Sequence, residues 1–155
     1  GRIESMINII SNSILCPHTS VLLSNLLING DNMIKEFYDS IGGSYEKALP
    51  RLMKDKLIEK YVLKFPNDPT FNQLSEAVNA EDWETAFKCA HTFKGVTLNL
   101  SFEKLSAAAV LLTDTLRPES PDRTNSVKLK ALFEDVKSNY QIVINAISNY
   151  KPEFF

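Results

Sequence analysis

His91, Lys94 and Gly95 are the residues of this chain whose types and spacing could do chemistry together. In a helix each residue turns about 100°, so His91 falls beside Lys88, Lys94, Gly95, Leu98 and Asn99. Trp83, Ala86, Phe87, Ala90, Phe93, Thr97 and Leu100 fall on the opposite, apolar side. A neutral imidazole near pH 7 is a good nucleophile. An ammonium one turn on can offset negative charge at a reacting group, and a residue without a side chain beside it leaves room. The arrangement suits a nucleophile that another protein must reach. Each residue also has a plain reading: a lone surface His or Lys is ordinarily just solvated, and a helical Gly, which costs about 1 kcal/mol relative to Ala, can simply allow close packing. A hydrolase using His91 as general base is disfavoured, because no Ser, Cys or carboxylate stands at convincing spacing around it.

The elements that must hold this helix are legible as amphipathic stripes. Asn29-Gly30-Asp31-Asn32 reads as a turn with a helix N-cap, followed by a short helix over Met33 to Ile41 that Gly42-Gly43 ends. Ser44 caps a second short segment, Tyr45 to Met53, which Pro50 must kink or restart. Leu57, Ile58, Tyr61, Val62 and Phe65 recur at helical spacing, Pro66-Asn67-Asp68-Pro69 interrupts, and Phe71, Leu74, Ala77 and Val78 resume; the two pieces are expected to make one bent pillar. Asn79, Glu81 and Asp82 supply the turn and acidic start of the His91 helix. Ser101 is expected to cap the next helix, whose inner face is Phe102, Leu105, Ala108, Ala109, Leu112 and Leu116. After a polar loop over Glu119 to Ser126, Leu129, Leu132, Phe133, Val136, Tyr140, Val143, Ile147 and Tyr150 mark a last, long helix. No strand-like alternation of comparable length appears. The expected fold is all-α, an antiparallel four-helix bundle with additional short N-terminal helices.

Composition narrows the function classes. With 155 residues, 44% apolar, one domain with its own core is expected. Residues 1–32 read as an extension or linker with a short helix, and residues 33–155 as the bundle domain. A net charge of −2 and no dense Lys/Arg tract argue against nucleic acid. Polar residues break Met6 to Leu27, so no stretch is apolar enough to span a membrane, and no signal peptide is evident. The two cysteines, Cys16 and Cys89, form no disulfide framework, and Cys16 with His18 lacks the second pair a zinc site needs. These features predict a cytoplasmic protein. The first residue is Gly rather than Met, which suggests a piece of a longer protein or an added remnant, with Met33 as a candidate internal start.

Ala90-His91-Thr92-Phe93-Lys94-Gly95, followed after Leu100 by a turn into another amphipathic helix, resembles the signature of histidine-containing phosphotransfer (HPt) domains, especially stand-alone bacterial ones. That signature runs approximately Ala-His-x-Leu-Lys-Gly and then Leu-Gly, and the resemblance covers about residues 55–148. Phe93 stands where Leu is usual. Ser101 stands where Gly is usual, which makes a left-handed turn there less favoured. The resemblance implies a phosphocarrier without a kinase site of its own: His91 would accept a phosphoryl group from a receiver-domain aspartate or a kinase and pass it to another receiver. Lys94 would stabilise phosphoryl charge, Gly95 would give the partner clearance, and Lys88, Leu98 and Asn99 would belong to the docking surface. Partners would be response-regulator receiver domains or a sensor histidine kinase. No cofactor is expected in this chain; Mg²⁺ is expected on the partner receiver, and a monomer is the expected state. Two alternatives stay open: a catalytically silent scaffold that binds receivers, and an HPt module cut from a hybrid or chemotaxis-type kinase.

Overall fold

The computed structural model describes residues 33–150, and all regular structure among them is helical. Readings that concern residues 1–32, including the early helices, Cys16, His18 and the Asn29–Asn32 cap, lie outside the described residues. The elements are α1 (residues 33–40), α2 (Tyr45–Leu52), α3 (Asp55–Lys64), a 3-10 turn (Phe65–Asn67), α4 (Thr70–Asn79), α5 (Trp83–Asn99), α6 (Glu103–Leu116) and α7 (Ser126–Asn149). Residues 34–150 belong to one compact unit. Among them no helix is long and apolar enough to cross a membrane.

Four helices close a ring, with α4 on α5, α5 on α6, α6 on α7 and α7 back on α4. The expected bent pillar is present: α3, the 3-10 turn and α4 run antiparallel to α7 along its length. Tyr150 donates a hydrogen bond to Glu59 at 3.2 Å, the Phe71 ring stacks on Tyr140 with centroids 3.7 Å apart, and Glu81 pairs with Lys130 at 3.0 Å. Pro66 and Pro69 cause the bend by removing backbone donors; Asp68 then accepts the Thr70 N–H at 2.8 Å and restarts the helix. Pro50 neither ends nor restarts α2, which continues through it to Leu52.

The caps follow the local chemistry. Ser44 accepts the Lys47 N–H, Asp82 that of Thr85 and Asn125 that of Lys128, so each satisfies a first-turn donor that the helix leaves unpaired. Ser101 departs from expectation twice. It caps nothing, since Phe102 occupies the N-cap of α6 without a side-chain bond. It is also left-handed, with φ of 55°, as the glycine of the family pattern would be. The reason is tertiary. The Ser101 N–H bonds Leu98 and the Phe102 N–H bonds Thr97, both at 3.0 Å, in a Schellman closure that needs a left-handed residue between. That closure is clamped from α1 and α2. The Ser44 N–H donates to the Ser101 carbonyl at 2.9 Å, buried Tyr38 donates to the Leu100 carbonyl at 2.8 Å, and Arg51 donates to the Leu98 carbonyl. These bonds offset the roughly 1–2 kcal/mol that a left-handed non-glycine residue costs.

Gly43 makes this clamp possible: a methyl group there would lie 2.9 Å from both the Ser101 carbonyl oxygen and the Tyr38 ring. Gly43→Ala is therefore expected to destabilise the fold by about 1–3 kcal/mol, read as a lower urea midpoint at unchanged slope.

Candidate functional site

The site is built on α5. Ala86, Ala90, Phe93, Thr97 and Leu100 are buried, with Trp83 and Phe87 half-buried beside them. Phe93 is the anchor at the level of His91. Its ring lies 6.2 Å from Phe65, 5.9 Å from Phe71 and 6.1 Å from Tyr140, so the large ring where Leu is usual fills an aromatic cluster contributed by the pillar and α7. Thr97, fully buried, donates to the Lys94 carbonyl at 3.0 Å and leaves no unpaired hydroxyl. The inner face is thus tightly held, and the rotation of the outer face is set with it.

On that outer face His91 is exposed, makes no hydrogen bond to any described residue, and meets the half-buried Phe87 one turn back edge-on at 6.2 Å. Lys94 is half-buried and forms no ion pair among the described residues, so its ammonium is not neutralised by a neighbour there. Gly95 is exposed, and a methyl group added to it would meet no atom within 4 Å. Close helix packing therefore does not account for the glycine in this chain. Empty space lies where its side chain would be, one turn beyond His91.

The residues named as a docking surface separate. Leu98, 40% exposed, lines a groove with Ala107, Val110 and Leu111 of α6, and Leu111 is itself 56% exposed. Asn99 lies on the other side of α5, where it lines a cavity with residues of α2 and α3. Lys88 is exposed and paired with Glu84 at 3.5 Å, so its charge is already engaged. Val110 and Leu111 line this groove without having been singled out in the sequence. An apolar residue on the outward side of an otherwise clean α6 stripe was the signal available in the sequence, and only the groove explains it. Cys89 is half-buried, and burial together with Asp82 pushes its thiol up from the ordinary range, as expected of a small packing residue.

Residues 67–139 match the family model of the Hpt domain. The matched span contains α4, α5, α6 and most of α7, the four helices that close the ring, with His91, Lys94 and Gly95 inside it. This match supports placing residues 67–139 in the histidine phosphotransfer family, whose members are phosphocarrier modules of phosphorelays rather than kinases and which work with response regulators and kinases. No curated protein and no solved structure gives a significant match.

Because nothing packs against Gly95, Gly95→Ala is expected to stabilise the chain by about 0.5–1 kcal/mol. Thermal unfolding should show this as a midpoint raised by about 2–4 °C. A fall in midpoint would mean that the helix needs the glycine for its own packing.

Proposed function

We propose that this chain is a phosphorelay intermediate that carries the phosphoryl group on His91. The observation that carries the reading is an exposed imidazole on a rigidly held helix, with an uncontacted glycine one turn beyond it, inside the family-matched span. A ring nitrogen of neutral His91 attacks the phosphorus of an aspartyl phosphate on a receiver domain. The nitrogen–phosphorus bond forms as the bond to the aspartate oxygen breaks, and the aspartate leaves as carboxylate. Attack by a second receiver's aspartate on phospho-His91 reverses these bond changes and returns the imidazole.

Lys94 sits one turn from His91, where its ammonium offsets charge on the phosphoryl oxygens as they pass in line between donor and acceptor. Gly95 leaves room for the receiver's loops. Nucleotide chemistry enters from a separate kinase, and the Mg²⁺ that transfer needs is held by the receiver's carboxylates. The carrier acts as a monomer in the cytoplasm.

Incubation with phosphorylated receiver domains tests this directly. The chain should acquire label that survives alkali and is lost in acid, as a phosphoramidate is. His91→Gln should abolish labelling with the fold intact, and label retained by that variant would refute the assignment. Lys94→Ala should slow transfer by about 100-fold or more, the scale of losing one charge-stabilising donor, with an unfolding midpoint close to that of the parent chain.

A further inference from the structure

A receiver's footprint cannot fit on α5 alone. Specific protein interfaces cover about 800 Å² per partner, and weak, transient ones somewhat less. Three turns of helix face are about 16 Å long and 10–12 Å wide, under about 200 Å². The partner must therefore rest on flanking elements, and the surface indicates which. Toward the start of α5, Glu84 and Lys88 satisfy each other across one turn. Toward its end stand Lys94, without an ion pair among the described residues, the empty volume at Gly95 and the exposed Leu98. The footprint is thus displaced toward the C-terminal end of α5.

Beyond that end lies a cavity of about 470 Å³ lined by Arg51, Tyr61, Lys64 and Asp68 with Val96 and Asn99 of α5. Asn99 is eight residues past His91, about 12 Å along the helix at about 1.5 Å per residue. That axial distance is less than the roughly 16 Å radius of an 800 Å² footprint. Its charged lining is two cations to one anion. Lys64 and the Tyr61 hydroxyl have no hydrogen-bond or ionic partner among the described residues, and Tyr61 is 45% exposed. Arg51, Tyr61 and Lys64 all lie before residue 67, outside the span shared with the family.

Resting on the phosphorelay reading above, we infer that α2 and α3 extend the docking face of this chain, and that the cavity walled by Tyr61, Lys64 and Asn99 receives an acidic side chain from the rim of the receiver's active site. Charge complementarity selects this occupant. The cavity carries two cations to one anion and an ammonium without an ion pair among the described residues, which suits a carboxylate on the receiver's surface. Because both cations of the socket, Arg51 and Lys64, come from helices outside the family span, it acts as a specificity element. It selects receivers with a carboxylate at the matching position, whereas His91, Lys94 and Gly95 serve any receiver.

Transfer from phosphorylated chain to each receiver domain of the source organism, measured in single turnovers against receiver concentration, tests the inference. Lys64→Glu should raise the receiver concentration giving half-maximal rate by about tenfold or more for the preferred receiver, and change the saturated rate much less. Lys64→Ala should give a smaller rise, and added salt should narrow the gap from the parent chain. Lys137→Glu, on α7 outside both the site and the cavity, should leave half-saturation unchanged. Parent-like half-saturation in Lys64→Glu, with the parent chain transferring normally, would overturn the docking assignment alone. Failure of the parent chain to exchange phosphoryl groups with any receiver would overturn the phosphorelay reading and the docking assignment with it. Benzoate shifting the NMR resonances of Tyr61 and Asn99 while Lys64→Glu leaves receiver binding untouched would assign the cavity to a small anion and refute the inference.

Discussion

Phe93 is the contact on which the site depends. Buried to 2% exposure among Phe65, Phe71 and Tyr140, it removes its whole ring from water and adds several ring-to-ring contacts, each worth about 0.5–1.5 kcal/mol. A helix can be turned about its own axis only by pulling such an anchor out of the core. Phe93 thereby fixes the direction of every other residue on α5, and His91, two residues earlier, must project outward. The aromatic cluster continues through Phe65 to Phe102, and from Phe102 to Phe37 and Tyr38 of α1, so the α5–α6 turn belongs to the same packed body.

That continuity explains why two short helices precede the bundle. The C-terminal end of α5 presents carbonyls that the helix itself cannot satisfy. Tyr38 and Arg51 donate to two of them, at Leu100 and Leu98, while the Ser44 N–H secures the Ser101 carbonyl beyond. Burial pushes the Tyr38 phenol far above its ordinary range, so it stays a neutral donor throughout the physiological range. The helices that finish α5 also bring Arg51 and Lys64 to a cavity they share with Val96 and Asn99 near its C-terminal end. Structural capping and surface charge near the end of α5 therefore come from the same segment.

Much of this was legible in the residues. The 3.6-residue period placed Ala86, Ala90, Phe93, Thr97 and Leu100 inward and His91 outward, the prolines at 66 and 69 marked the bend of the pillar, and Ser44 was recognisable as a cap. Ser101 was not legible. Local preference argues against a left-handed serine, and the groups that hold it there come from Tyr38, Ser44 and Arg51, far earlier in the chain. The docking set was legible only as one face of a helix. That Leu98 and Asn99 look into different grooves, one against α6 and the other against α2 and α3, depends on which helices flank α5.

The amino-acid order by itself determined that this is an all-helical chain with an imidazole, an ammonium and a glycine on one outward face, because amphipathic period and local spacing are properties of neighbouring residues. The tertiary structure alone decided that no neighbour packs against Gly95. Whether a missing side chain accommodates an internal neighbour or leaves a vacancy depends on atoms remote in the chain, and here none comes within 4 Å. It alone also decided the left-handed turn at Ser101 and the positive cavity beside Asn99, because each is made by α1, α2 or α3 meeting the end of a helix that follows them by some thirty residues or more.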